Sequence, residues 1–100
     1  MASIEWTDPA FAPLEALSEK LAFEIVRRVD VLATFPEMGV PRKSQYPALR
    51  NCRQLIIKRS YRVIYEFDRT TDTVYIFVVQ HCRQPFPPAS KLRRPPEEAQ

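Results

Sequence analysis

The sequence predicts an α+β domain of two layers: an N-terminal strand and a helix or short helical hairpin packed on a mainly antiparallel four-stranded sheet. Three observations carry this. Leu14, Leu17, Leu21, Ile25, Val29 and Leu32 recur at steps of three and four, the stripe of a helix lying on a flat surface. Two dense apolar runs, YRVIYEF and TVYIFVV, flank the polar turn DRTTD with strand alternation. One hundred residues, 45% of them apolar, suit one core rather than two.

Each element follows from local chemistry. ASIEW opens as a short strand with Ile4 and Glu5 on opposite faces. TDPAF begins a helix, with Asp8 read as N-cap and Pro9 as the first helical residue, where a missing N–H costs nothing. Pro13 and Ser18 permit a break, so the expectation is one bent helix over residues 9–35 or a short helix followed by a longer one. FPEMGVPRKSQYPALRN then interrupts the periodicity with three prolines and the only glycine, and reads as loop from Pro36 to about Leu49. Arg42, Lys43 and Arg50 make that loop basic.

Three strands follow: RQLIIK, YRVIYEF and TVYIFVV. In the second, Tyr61, Val63, Tyr65 and Phe67 share one face, with Arg62, Ile64 and Glu66 on the other. In the third, strict alternation sets Val74, Ile76 and Val78 against Tyr75, Phe77 and Val79. Both faces are then apolar, which predicts an interior strand. From Pro85 onward five of sixteen residues are proline. The expected division is therefore a domain over residues 1–86 and a flexible tail over 87–100.

Charge is uneven along the chain. Residues 1–50 hold 6 basic and 7 acidic residues, whereas residues 51–100 hold 9 and 5, so the positive field sits with the strands and tail. That balance suits nucleic acid or an acidic protein partner and chooses neither. No apolar stretch approaches the ~18 residues of a membrane span, and no targeting presequence opens the chain. A soluble, cytoplasmic protein without a membrane partner is expected. Cys52 and Cys82 are expected as free thiols. Two Cys and one His are too few to close a zinc site, and no phosphate-binding glycine loop, EF-hand loop or HExxH pattern occurs. No metal, nucleotide or redox cofactor is expected.

In their order and spacing, IEWTDPA, VDVLATFPEMGVP, PALRNCR, YRVIYEF and VYIFVVQHCRQPF resemble the RelE/ParE superfamily of toxins from bacterial type II toxin–antitoxin modules. The resemblance runs from Ile4 to about Phe86. It implies a RelE/ParE-like fold and a small cognate antitoxin whose C-terminal segment wraps and neutralises the toxin. It also implies one of two targets. Members similar to the RelE branch cleave mRNA in the ribosomal A site; members similar to the ParE branch poison DNA gyrase. The helical region here is shorter than in many relatives of the gyrase-directed branch.

The two targets ask different things of the residues. Cleavage by attack of a ribose 2′-OH needs a proton acceptor, charge to stabilise the phosphorane and a donor to the leaving oxygen. Inhibition of gyrase needs only a complementary surface. By resemblance, Arg62 and Arg83 stand where the family places arginines on and after its strands, and His81 stands nearby. These three are the catalytic residues if the chain is a ribonuclease. Lys58, Arg59, Arg62, Arg83 and Phe86 form the candidate target-binding set.

Ordinary readings stand beside each. Arg62 pairs with an acid on its own face, such as Glu66; Lys58 and Arg59 are solvated turn charges; His81 is a strand-end histidine bonded to backbone; Tyr61 and Tyr65 pack in the core. The tail tyrosine of the RelE branch has no equivalent, and Phe86 can stack on a base without moving a proton. The ending H-x-R followed by Phe86 and Pro87 is similar to the ParE branch. The expectation is therefore a gyrase inhibitor. The alternatives are a ribosome-dependent mRNA endonuclease and a degenerate, non-toxic antitoxin-binding protein. A homodimer through an exposed edge strand is a further possibility that no residue pattern specifies.

Overall fold

The computed structural model describes residues 1–41 and 52–85. The basic loop residues Arg42, Lys43 and Arg50, together with Phe86 and the proline-rich tail, lie outside the described residues. The described chain runs β1 (Ser3–Trp6), α1 (Asp8–Phe11), a 3-10 turn (Ala12–Ala16), α2 (Glu19–Asp30), a second 3-10 turn (Val31–Ala33), β2 (Val40–Pro41), β3 (Cys52–Ile57), β4 (Tyr61–Asp68) and β5 (Thr73–His81).

The strands form one sheet in the order β1-β5-β4-β3-β2, with β1 parallel to β5 and every other pairing antiparallel. The architecture is the expected two-layer α+β fold, but the sheet has five strands rather than four. The additional one is β2, which lies inside the segment read as loop. Its two residues pair with Gln54 and Arg53, too short a stretch to leave an alternating pattern.

The helical layer takes the second of the two expected forms, a short helix and then a longer one. Thr7, not Asp8, is the N-cap of α1, which moves Asp8 and Pro9 into its first turn. Pro13 cannot donate an i→i−4 bond, and the chain tightens into a 3-10 turn and ends in extended backbone at Leu17. Ser18 restarts it as a cap, its Oγ accepting from Leu21 N–H at 3.2 Å. Along α2, Ile25 and Val29 are buried and Arg27 and Arg28 occupy the last turn, where cations favour the helix dipole.

That apolar stripe covers one face of the sheet. Ala10, Leu14, Ile25, Val29 and Leu32 join Leu55, Ile57, Val63, Tyr65, Val74, Ile76 and Val79 in the main core. A second buried cluster, Cys52, Ile64, Phe77 and Val78 with Tyr75 against it, occupies the opposite face. The partition corrects the strict alternation. Ile64 pairs with Val78 but Tyr65 pairs with Ile76, which leaves Phe77 as an extra residue in β5. From this β-bulge onward the faces exchange, so Val79 joins Val74 and Ile76, and Val78 joins Tyr75 and Phe77. Thr7 fastens β1 beside the bulge, giving both its N–H (3.1 Å) and its hydroxyl (2.8 Å) to the Ile76 carbonyl.

The connection from α2 to β2 is locked onto the sheet by Tyr65. Its fully buried ring carries a hydroxyl that accepts the Gly39 N–H at 2.8 Å. Arg53 donates from Nη1 to the Gly39 carbonyl (2.8 Å) and the Glu37 carbonyl (3.1 Å). Only glycine fits here, because a Cβ at position 39 would lie 2.6 Å from the Tyr65 hydroxyl oxygen and 2.7 Å from its ring.

Gly39→Ala is expected to destabilise the fold by about 1–3 kcal/mol through overpacking, read as a lower urea midpoint at unchanged slope. Burial pushes the Tyr65 hydroxyl above the ordinary tyrosine value of 10.0, against the lowering effect of the Gly39 bond and of Arg53. The folded state therefore holds this proton more tightly than the unfolded chain. The contribution is complete below about pH 10 and is lost as pH rises through the folded value. Alkaline titration of stability should fall less steeply in Tyr65→Phe than in the parent; equal slopes would remove Tyr65 as the titrating group.

Candidate functional site

The predicted site residues Lys58, Arg59, Arg62, His81 and Arg83 come together at one end of the sheet, where β3 turns into β4 and β5 terminates. The β3–β4 turn is closed by Ser60 N–H on the Ile57 carbonyl at 3.2 Å. Its central residues, Lys58 (φ 52°) and Arg59 (φ 62°), both occupy the left-handed region. Asn-Gly is the favoured pair for such a turn, whereas a long-chain residue in this conformation costs on the order of 1 kcal/mol. The Ser60 carbonyl accepts Cys82 N–H at 2.7 Å, which ties the strained tip to the turn after β5.

Arg62 projects from the face opposite the helices. Its Nε donates to Gln80 Oε1 at 2.8 Å, and its Nη2 to the carbonyls of Gln84 (2.7 Å) and Cys82 (3.3 Å). Gln80 in turn donates to the Pro85 carbonyl at 3.2 Å. The guanidinium thus acts as a fastener, holding the backbone after β5 against the sheet through the carbonyls of Cys82 and Gln84, which accept from its Nη2. Its planar fork suits this role because donors at fixed angles reach several acceptors at once.

His81 points the other way. It pairs with Tyr61, and the two rings meet edge to face at 5.1 Å between centroids. Its Nδ1 accepts Arg83 N–H at 3.0 Å, while the Gln84 side chain accepts His81 N–H and the His81 carbonyl accepts Gln84 N–H. With Nδ1 engaged as acceptor, the neutral ring carries its proton on Nε2.

The arrangement follows from the bulge. Arg62 pairs with Gln80 and Tyr61 with His81. The extra residue at Phe77 sends Gln80 to the face of Arg62 and His81 to the face of Tyr61. Under strict alternation His81 would have shared the face of Arg62. Arg62 and His81 are neighbours along the sheet but lie on its opposite sides.

Arg83 is exposed, as are Lys58 and Arg59. Three participants were missed by reading the sequence: Gln80, Gln84 and Ser60. Their signal was weak, since short polar residues at strand ends and turns carry no mark of which distant group they will bond.

A protein-family model described as the ParE toxin of the type II toxin-antitoxin system, parDE, matches residues 4–86. Among solved structures, the toxin–antitoxin complex RelBE2 of Mycobacterium tuberculosis contains a chain 23% identical, with TM-score 0.71 over 80% of this chain and 96% of that one. The intact RelBE complex of E. coli contributes a match at 13% identity and TM-score 0.68, over 84% and 100% of the respective chains. The isolated E. coli RelE toxin matches at 14% identity and TM-score 0.67, over 85% and 88%. At these identities the likeness is one of fold. No curated protein sequence matches.

Replacing Lys58-Arg59 by Asn-Gly should relieve the turn and raise stability by about 1–2 kcal/mol, measured by urea unfolding. A loss of stability would mean that the two side chains contribute packing that outweighs the backbone strain.

Proposed function

Because the chain belongs to the ParE toxin family of type II toxin–antitoxin systems, we propose that it is a toxin that blocks DNA gyrase and is neutralised by a cognate antitoxin. The observation that carries the choice of target is the separation of Arg62 from His81. Ribonucleolytic attack needs a phosphate clamp and a proton-transfer group converging within about 3 Å of one reacting centre. Here the clamp candidate is bonded to the turn after β5, and the imidazole faces the other side of the sheet with Nδ1 occupied. What remains accessible is a basic end formed by Lys58, Arg59 and Arg83, which suits surface recognition rather than bond cleavage. In this reading Arg62 and His81 shape the contact through the turn after β5 that they bond.

The antitoxin is inferred from likeness, since the solved relatives of the same fold are found in toxin–antitoxin complexes. An acidic antitoxin segment folding onto this chain would neutralise the basic residues that the target requires. A second reading, a ribosome-dependent mRNA endonuclease using Arg62, Arg83 and His81, draws on the fold shared with the E. coli RelE toxin. Its machinery would require the β5 end to rearrange on the ribosome.

Two parallel reactions separate these readings: gyrase supercoiling of relaxed plasmid, and primer extension across a message in a translating extract. Lys58→Ala with Arg59→Ala and Arg83→Ala should weaken inhibition of supercoiling at least tenfold. His81→Asn keeps an acceptor for Arg83 N–H while removing the imidazole, and should stay within about twofold of the parent. Codon-positioned mRNA cuts that disappear in His81→Asn and Arg62→Ala, with supercoiling untouched, would replace the gyrase target by the ribosome.

A further inference from the structure

Charge is divided along the strands of the sheet. Where β3 turns into β4 and β5 ends stand Lys58, Arg59, Arg62 and Arg83, and none of the described residues from Gln54 to Tyr65 or from Val74 to Pro85 is acidic. The carboxylates of these strands lie at the other end: Glu66 opposite Cys52, Asp68 opposite Thr73, and Asp72 in the turn between β4 and β5. There they are mixed with Arg53 and Arg69, which both bond Glu37. The helical layer contributes Asp8, Glu15, Glu19 and Lys20, and none of its carboxylates pairs with the basic end. Among the described residues Lys58, Arg59 and Arg83 enter no ion pair, and all three are exposed. An anion meeting this end of the sheet finds uncompensated positive charge.

Two observations say what kind of anion fits. Lys58 (φ 52°) and Arg59 (φ 62°) keep long cationic chains at a hairpin tip whose backbone Asn-Gly would adopt without strain. Strain of this kind collects where side chains are used. The end also carries charge and little else. Of the exposed large apolar side chains among the described residues, only Ile56 belongs to β3, β4 or β5. Tyr61 is half-buried and turns its ring against His81. A tight protein partner requires apolar or aromatic anchors, and a single strand requires an exposed ring on which to stack its bases. The backbone of a duplex requires neither, because its affinity comes from cations that release condensed counterions.

We propose that Lys58, Arg59 and Arg83 bind the phosphate backbone of double-stranded DNA without regard to base sequence. The inference rests on the gyrase reading for its purpose: gyrase acts on a bound duplex, and a toxin that grips that duplex is brought to the enzyme when DNA is on it. Arg62 stays with Gln80 and the carbonyls of Cys82 and Gln84, holding the turn that carries Arg83.

The test is fluorescence anisotropy of the full chain with a short labelled DNA duplex over a series of potassium chloride concentrations. Lys58→Asn with Arg59→Gly removes two cations and relieves the turn, so loss of the fold does not intervene. This variant should make the slope of log K against log salt shallower by about 1.8, and Arg83→Ala by about 0.9. Lys58→Arg with Arg59→Lys keeps the charge and should bind within about twofold of the parent. Unlabelled duplexes of unrelated sequence should compete equally, and polyglutamate or single-stranded DNA or RNA about tenfold more weakly. The proposal is overturned by no binding at low salt, by an unchanged slope in the Asn-Gly variant, by loss of binding in the charge-preserving exchange, or by competition from polyglutamate or a single strand that equals the duplex. Binding that disappears only when Arg42, Lys43 and Arg50, or Lys91, Arg93 and Arg94, are changed to Gln would overturn it as well. Gyrase is absent from the titration, so its failure leaves the gyrase reading to the supercoiling assay. Supercoiling untouched by a chain that binds the duplex would overturn the gyrase reading and not this one.

Discussion

One extra residue in β5 sets which side chains meet. β5 is the interior strand shared by the parallel β1 and the antiparallel β4, and its bulge at Phe77 divides it into two segments of opposite facing. Before the bulge, Val74 and Ile76 complete the floor on which the helices pack; after it, Val79 continues that floor. The same shift delivers Gln80 to Arg62 and His81 to Tyr61. A bulge-free β5 would exchange both pairs, and the fastening of the turn after the strand would be lost. Packing and site geometry therefore share one cause.

The bulge operates within a frame held by a small number of buried polar contacts. Tyr65 is the clearest. It contributes a large apolar ring to the core, and its hydroxyl satisfies the N–H of a glycine in the connection from α2. A single hydrogen bond of this kind contributes about 1 kcal/mol net, but leaving its buried donor unpaired costs about 1–3 kcal/mol. The asymmetry explains why residues 36–41, with two prolines and a glycine, nonetheless have one path onto the sheet edge. Thr7 does comparable work at the other edge, where it joins β1 to β5 through the Ile76 carbonyl. Surface pairs such as Arg27–Glu24 at 3.2 Å add little beside these.

Much of the fold was legible because it is written in periodicity. The stripe from Leu14 to Leu32 specified the helical layer, Pro13 and Ser18 marked its break, and the two faces of YRVIYEF fell as alternation predicts. What escaped has physical reasons. Val78 and Val79 are the same residue, so exchanging them leaves no trace in an alternating pattern, and the bulge is silent. β2 is two residues long and exists because Tyr65 and Arg53 hold Gly39, a contact 26 positions away in the case of Tyr65. At the candidate site, the cluster of Lys58, Arg59, Arg62, His81 and Arg83 followed from strand order. The sidedness of Arg62 and His81, which separates the chemical readings, depended on the bulge and was hidden with it.

The pairing of β1 with β5 also bears on how the chain comes into being. Thr7 and Ile76 are 69 residues apart, so the contact closing the first strand forms only when nearly the whole domain is available. During synthesis, Leu14, Ile25 and Val29 emerge long before Val74, Ile76 and Val79, the surface that will cover them. The hairpins of β3, β4 and β5 can zip locally, whereas the helices must wait with an apolar face uncovered. A nascent chain of this design remains unassembled until its last strand has left the ribosome. That interval gives chaperones, or a partner already present in the cell, their first access to it.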